Sequence, residues 1–140
     1  MKKIILLGLM FVSFVGYSQV PDENDVATIE DRNNPNYIHT VAEVMPEYPD
    51  GGINGFRKFV MRNFRTPDVD RDVKGKVVVS FVVEPDGSLS NIKVVEDLDY
   101  GIGEEVVRVI KESKKWEAGI QDGKPVRVTY TFPLVINIYY

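Results

Sequence analysis

Cysteine is absent from the 140-residue sequence, and histidine occurs only once, as His39. Without a thiolate, the chain has no disulfide, no cysteine nucleophile and no cysteine-ligated metal site. A single histidine excludes a multi-histidine metal site, and its position in a polar, irregular stretch argues against a histidine-based catalytic triad. We therefore predict that the protein is not an enzyme and has no catalytic residues, no metal site and no cofactor.

A surplus of positive charge is also missing. Lysine and arginine together number 17, against 21 aspartate and glutamate residues, so the formal net charge is −4. Nucleic-acid binding needs clustered cations that neutralise phosphates. The charge balance therefore argues against a nucleic-acid partner.

Two short motifs associated with metal or nucleotide binding are incomplete. Residues 68–72 alternate carboxylates as an EF-hand loop does, but Val73 stands where that loop needs glycine and Val79 where it needs glutamate. Residues 101–103 (Gly-Ile-Gly) are a fragment of a dinucleotide fingerprint whose third glycine position holds Val106. We expect a solvated acidic loop and a helix-entry turn, and no small-molecule substrate.

The first residues follow the pattern of a secretory signal peptide. Lys2 and Lys3 precede an apolar run over residues 4–15, and small residues stand at positions 16 and 18, before Gln19. The run is shorter than the roughly 20 apolar residues that cross a bilayer. We predict a signal peptide over residues 1–18 and an exported, periplasmic protein. The alternative is an uncleaved segment that keeps the protein at the inner membrane.

Residues 19–44 are polar and irregular, which is typical of a flexible linker. Little apolar surface is available there to offset the entropy lost on ordering. Within this stretch, residues 37–44 have some β character and can lie against a neighbouring domain. Residues 45–140 carry apolar periodicity throughout and are expected to form one domain.

Two helices are predicted within residues 45–140. Apolar residues from Ile53 to Phe64 recur at helical spacing, and Pro67 ends that helix because the residue before a proline avoids the α region. A second helix is expected over residues 103–115, with Trp116 following it into the core.

Three strands accompany these helices. Lys76–Glu84 and Leu89–Val95 alternate apolar and polar residues and are joined by a Pro-Asp-Gly turn. The phase of Leu89 does not match the rest of its strand, which predicts a bulge near Ser90 or Asn91. A long final strand follows over residues 125–139. The order of elements predicts an α+β, two-layer domain, with two helices packed on a three-stranded antiparallel sheet.

Several short elements follow one another in a characteristic order along the chain. They are Pro46-Glu47-Tyr48-Pro49, Gly75-Lys76-Val77, Pro85-Asp86-Gly87, Lys115-Trp116 and Gly123-Lys124-Pro125-Val126. Through this ordered set the chain resembles the C-terminal domain of TonB over residues 44–139, and in particular the energy-transducer TonB-like proteins of the Bacteroidota.

The resemblance implies a periplasmic protein-binding module that takes part in energy-coupled transmembrane transport. In that family the domain binds a short segment of an outer-membrane TonB-dependent receptor, the TonB box, as a strand added beside its own last strand. Carried over to this sequence, the resemblance implies that the partner-binding residues are Pro46, Tyr48, Pro49, Val126, Val128, Tyr130, Phe132, Ile136 and Ile138.

Simple physical chemistry is consistent with this mode of binding and leaves two alternatives. An unpaired strand edge is a template for β-augmentation. Pro133 lacks an N–H group within the final strand, so a blunted edge is one alternative. Self-association of the same edge as a homodimer, without transducer activity, is the other. The sequence shows no long proline-rich spacer, which favours a soluble periplasmic binder over a transducer that spans the periplasm.

Overall fold

The structure, a computed structural model, describes residues 29–140. The predicted signal peptide and the first part of the predicted linker lie outside the described residues. The described elements, in chain order, are α1 (Ile29–Arg32), β1 (Ile38–His39), α2 (Gly52–Asn63), β2 (Val73–Val83), β3 (Leu89–Glu96), α3 (Ile102–Lys111), β4 (Gly119–Gln121) and β5 (Lys124–Ile138).

Both predicted helices are present, and both bury an apolar face. In α2, Phe56 and Val60 are fully buried, and the helix ends because Phe64 adopts an extended conformation ahead of the proline. The second predicted helix is shorter than expected, since α3 ends at Lys111. The N–H groups of Glu112 and Ser113 bond to carbonyls three residues back, and such tightened bonds close the last turn of a helix.

The sheet has strand order β1-β5-β2-β3, with β4 paired to β5. The three predicted long strands form its antiparallel centre, which confirms the α+β, two-layer prediction. The prediction of a purely antiparallel, three-stranded sheet was wrong in detail, because β1 joins parallel to β5 and β4 adds a short hairpin. Strands of two and three residues are too short to show an apolar period.

A bulge in β3 lies where the sequence predicted one. Ser80 pairs with Lys93 and Val82 with Ser90, so one intervening residue of β2 faces two of β3. Asn91 has a φ of 47°, in the left-handed region that asparagine tolerates. The extra residue corrects the phase of the strand, so that apolar side chains on both sides of the bulge pack against the core.

An aromatic cluster lies within the otherwise aliphatic core between the helices and the sheet. Phe56 lies at its centre, with ring centres at 5.3 Å from Tyr48, 6.0 Å from Phe81, 4.8 Å from Trp116 and 4.9 Å from Phe132. Most of these pairs meet edge to face, a geometry that adds to the stabilisation from burial. The predicted core position of Trp116 is confirmed.

The Pro-Asp-Gly turn between β2 and β3 is tied to this core through the backbone. Trp116 donates its N–H to the carbonyl of Gly87 at 2.9 Å. Gly87 has a φ of +85°, and a Cβ added there would lie 2.0 Å from the carbonyl oxygen of Trp116. Only glycine satisfies both the left-handed conformation and the close approach.

The C-terminal part of the predicted linker is hydrogen-bonded to the domain. Val44 exchanges two backbone hydrogen bonds with Ile120, and Glu47 exchanges two with Glu117. Further upstream, the Arg127 guanidinium donates to the carbonyl of residue 36 at 3.0 Å.

Arg127 is itself held by a carboxylate. Its Nε and Nη2 atoms donate to the two oxygens of Glu84, at 2.9 and 3.0 Å. The hydrogen bond from Arg127 lowers the pKa of Glu84, against the opposing effect of burial, and the hydroxyl of Ser90 lowers it further. The pair therefore links the start of β5 to the end of β2 and, through residue 36, to the segment before β1.

We expect Gly87→Ala to destabilise the domain far more than Gly101→Ala. Both glycines have positive φ, but a Cβ at Gly101 meets nothing within 4 Å. The left-handed backbone alone costs about 1–2 kcal/mol for alanine, so that is the effect expected at Gly101. At Gly87 the clash with Trp116 adds to it. Urea unfolding followed by tryptophan fluorescence measures both, and equal losses would contradict the close approach at Gly87.

We expect Glu84→Gln to lower the free energy of unfolding at pH 7 by about 1–2 kcal/mol, since it removes a charge-assisted pair. Because the folded pKa of Glu84 lies below its unfolded value, its stabilisation is complete above the ordinary glutamate range, near pH 4.3. That stabilisation is lost as the pH falls through the folded pKa. The two proteins should therefore begin to converge in stability as the pH falls below the ordinary glutamate range. The exposed Glu117→Gln provides the control, and a difference that stays constant as the pH is lowered from 7 through the acidic range would refute this account.

Candidate protein-binding edge

One hydrogen bond establishes which way the backbone groups of β5 point. Glu84 donates its N–H to the carbonyl of Ser88 at 2.8 Å, so Glu84 faces β3. Backbone groups of successive strand residues point to opposite sides, so Val83 faces β5, where Val128 lies opposite. The register continues without a shift to Val73↔Ile138. Every second residue of β5 from Val128 onward therefore directs its N–H and C=O towards β2.

The alternate residues of β5 point away from β2. Within residues 29–140, the strand on that side is β1, whose pairing reaches only Arg127 and Val128. Beyond it, no described strand pairs with this side of β5. Pro133 is one of these outward-facing residues. Proline has no N–H, and on this side of β5 the missing group removes no hydrogen bond to β2, which is consistent with the assignment. We call the outward-facing backbone of Thr131, Pro133, Val135 and Asn137 the open edge.

The predicted partner-binding side chains of β5 lie on the helix side of the sheet. Val128 and Phe132 are fully buried, and Ile136 and Ile138 are nearly so. Tyr130 is half-buried and stacks on Phe81 of β2, with ring centres 5.6 Å apart. The N–H and C=O groups of these residues point towards β2. The unpaired N–H and C=O groups of β5 belong instead to the residues of the open edge, which the sequence analysis did not select.

Val126, also predicted, lies before this stretch and pairs with Gly119 of β4. The predicted segment before α2 is also largely committed to the domain. Pro46 is buried beside Gly119, and Tyr48 is only 3% exposed, in contact with Phe56 and Trp116. Pro49 is the exposed member. Of the three residues predicted in this segment, therefore, only Pro49 has a side chain available at the surface.

The open edge lacks the usual charged protection. Natural edge strands are commonly blunted by lysines, by bulges or by proline. From Thr129 to Ile138, β5 contains no charged residue, and Pro133 is the one residue in this stretch that blunts the edge. Val135 is 66% exposed on the face of the sheet opposite the helices. The edge is therefore accessible and uncharged.

The charges nearest to this edge are positive. Arg57 of α2 lies over the ring of Phe132, with its guanidinium carbon 6.0 Å from the ring centre. Burial raises the pKa of Tyr130, and the nearby Arg57 partly opposes that shift. On the other face of the sheet, Lys76 and Lys74 of β2 are exposed opposite Val135 and Asn137.

One cleft of the described surface lies beside the segment before β1. Its volume is about 540 Å³, and its lining contains one carboxylate, Asp122. No cluster of three metal-ligating side chains occurs within residues 29–140. In the same part of the chain, no helix combines the length and apolar character needed to cross a membrane.

One family and two solved structures are similar to this chain. Residues 69–137 match the family described as Gram-negative bacterial TonB protein C-terminal. The chain is also similar to two solution structures of the Helicobacter pylori TonB C-terminal domain. For one, the identity is 21% and the TM-score 0.43, over 58% of this chain and 87% of that chain. For the other, the identity is 22% and the TM-score 0.38, over 66% and 88%.

No match was found among the curated proteins. The family match spans β2, β3, α3 and β4 and extends into β5 as far as Asn137, so it includes the whole open edge. Over residues 69–137, just under half of its length, the chain is similar to the TonB C-terminal domain family.

Proposed function

We propose that this domain works in the periplasm and binds an extended segment of an outer-membrane TonB-dependent receptor as an additional strand on the open edge. Such binding would support energy-coupled transport across the outer membrane. The observation that carries the proposal is the outward-facing, unpaired backbone of β5 beyond β1. Similarity to that family supports a protein partner, and the accessible edge supports β-augmentation as the mode of binding.

The open edge offers a limited number of hydrogen bonds. Thr131, Val135 and Asn137 can each donate an N–H, and these residues and Pro133 can each accept at a carbonyl. Each of these backbone hydrogen bonds contributes roughly 0.5–1.5 kcal/mol to the net free energy of binding. Ordering the guest segment offsets part of the total. The expected association is of modest affinity and reversible, as a transient coupling requires.

A second candidate is pairing of the open edge with the same edge of another copy. The absence of charged residues from Thr129 to Ile138 favours it, since like charges do not oppose the approach of two identical edges. Receptor binding and self-pairing compete for the same backbone groups. Sedimentation at several protein concentrations, with and without a receptor peptide, separates the two, because a bound peptide would dissociate a strand-paired dimer.

We expect amide hydrogen exchange to alternate along β5. The N–H groups of the open edge should exchange quickly, whereas those of Phe132, Leu134 and Ile136, which face β2, should exchange more than about 100-fold more slowly. Adding a synthetic peptide from the periplasmic segment of a receptor should slow the open-edge amides selectively. The measurement is residue-resolved exchange by NMR at low protein concentration. Protection of the open-edge amides without peptide would show that the edge is already paired.

We expect Val135→Pro to weaken peptide binding by about tenfold or more, because it removes an outward N–H and places a ring where the guest backbone lies. Val135→Thr is the matched control, since it keeps the N–H and should bind as the wild type does. Calorimetric titration measures both. The side chain is exposed and the lost N–H faces away from β2, so circular dichroism should show a folded protein. Equal affinity of the two variants would place the binding elsewhere.

A further inference from the structure

Arg57 lies on the side of α2 that borders the open edge. The other side of α2 is occupied by α3, since Arg108 donates to the carbonyl of Asn63 at 3.0 Å and the N–H of Arg65 donates to Glu105 at 3.0 Å. In contrast, Arg57 contacts β5 through the ring of Phe132. Its guanidinium is therefore placed where a strand added to β5 would approach the helix.

The charge of Arg57 has no carboxylate partner among the described residues. Its only described hydrogen bond is from Nη1 to the side-chain oxygen of Asn54, at 3.0 Å. Three other arginines of the domain form ion pairs, Arg71 with Asp70, Arg108 with Glu105 and Arg127 with Glu84. Arg57 is only partly exposed, and its remaining guanidinium donors are free to bind an incoming acceptor.

The geometry of a sheet determines which guest side chain meets this cation. Residues directly opposite each other on neighbouring strands project to the same face, with Cβ atoms about 4.5–5.5 Å apart. Phe132 projects towards the helices, so the guest residue opposite Phe132 also does. That guest side chain comes next to the ring over which Arg57 lies.

We propose that Arg57 is a specificity-determining residue that selects segments with a glutamate or aspartate at the position opposite Phe132. This inference rests on the proposed function, because it requires a guest strand on the open edge. A guanidinium binds a carboxylate with two parallel hydrogen bonds, which gives geometric as well as electrostatic selection. The neutral isostere, glutamine, satisfies fewer of these donors.

The expected size of the effect is moderate. The site is partly solvated, and ion pairs in such places contribute up to about 1 kcal/mol, or roughly fivefold in Kd. The interaction should weaken with added salt because solvent-exposed charges are screened. Selectivity for a carboxylate should therefore be larger at low ionic strength than at high ionic strength.

The test uses two synthetic probes of seven residues, acetylated and amidated, with the sequences Thr-Val-Thr-Glu-Thr-Val-Thr and Thr-Val-Thr-Gln-Thr-Val-Thr. Each is titrated calorimetrically against the wild-type protein and against Arg57→Gln. We expect the glutamate peptide to bind the wild type about 3–5-fold more tightly than the glutamine peptide. In Arg57→Gln the ratio should fall to about 1, and the affinity for the glutamine peptide should be unchanged.

Lys58→Gln is the matched control, because it removes the same charge from the same helix. Lys58 lines a different cleft, with Tyr48, Asp50 and Arg62, on the surface away from β5. It should keep the wild-type preference for glutamate, and circular dichroism should show all variants folded. Equal binding of the two peptides to the wild type would overturn the role of Arg57 and leave the proposed function standing. Failure of both peptides and of a receptor segment to bind would overturn both proposals.

Discussion

The antiparallel pairing of β2 with β5 is the constraint on which the rest of the domain depends. It runs without a register shift from Val73↔Ile138 to Val83↔Val128, so the orientation of one residue determines that of all the others. A slip by one residue would turn the apolar side chains of a strand from the helices to solvent. The burial of the core therefore also determines which backbone groups β5 leaves unpaired.

The irregularities of the sheet are placed where they do not disturb this pairing. Both register shifts occur in β3, one at Asn91 and one where Val78 pairs with Glu96 but Val79 pairs with Val94. In each case the additional residue belongs to β3, and β2 stays continuous opposite β5. The regular side of β2 supports β5 and its open edge, and the irregular side of β2 accommodates the hairpin and the loop that leads into α3.

Sequence patterns predicted the parts of this fold that depend on local periodicity and turn chemistry. The Pro-Asp-Gly turn, the bulge near Asn91 and the apolar face of α2 all follow from spacing, and the structure confirms them. The sequence also predicted a long final strand, which is β5. It did not reveal which residues face the open edge, because that depends on which strand lies on each side of β5.

The segment before α2 shows a second limit. Residues Pro46–Pro49 resemble a receptor-contacting element, but that resemblance does not indicate how much of the segment is buried in the domain itself. In the structure Tyr48 packs against Phe56 and Trp116. Long-range contacts of this kind leave no local pattern. The β character of residues 37–44 indicated a strand near β1 but not its parallel pairing with β5. That position depends on Arg127 and Glu84, which lie far away in sequence.

Pro133 reduces the number of hydrogen bonds that the open edge can form but does not block the edge. Its missing N–H lies on the outward side, so the pairing of β5 with β2 loses nothing. A guest strand can still donate to the carbonyl of Pro133, but one guest carbonyl is left without a partner at this point. The edge therefore keeps enough groups for a short segment and is a poor template for extended, indefinite strand pairing. Since backbone bonds to such an edge are insensitive to sequence, discrimination must come from side chains that flank it, and Arg57 of α2 is the cation positioned there.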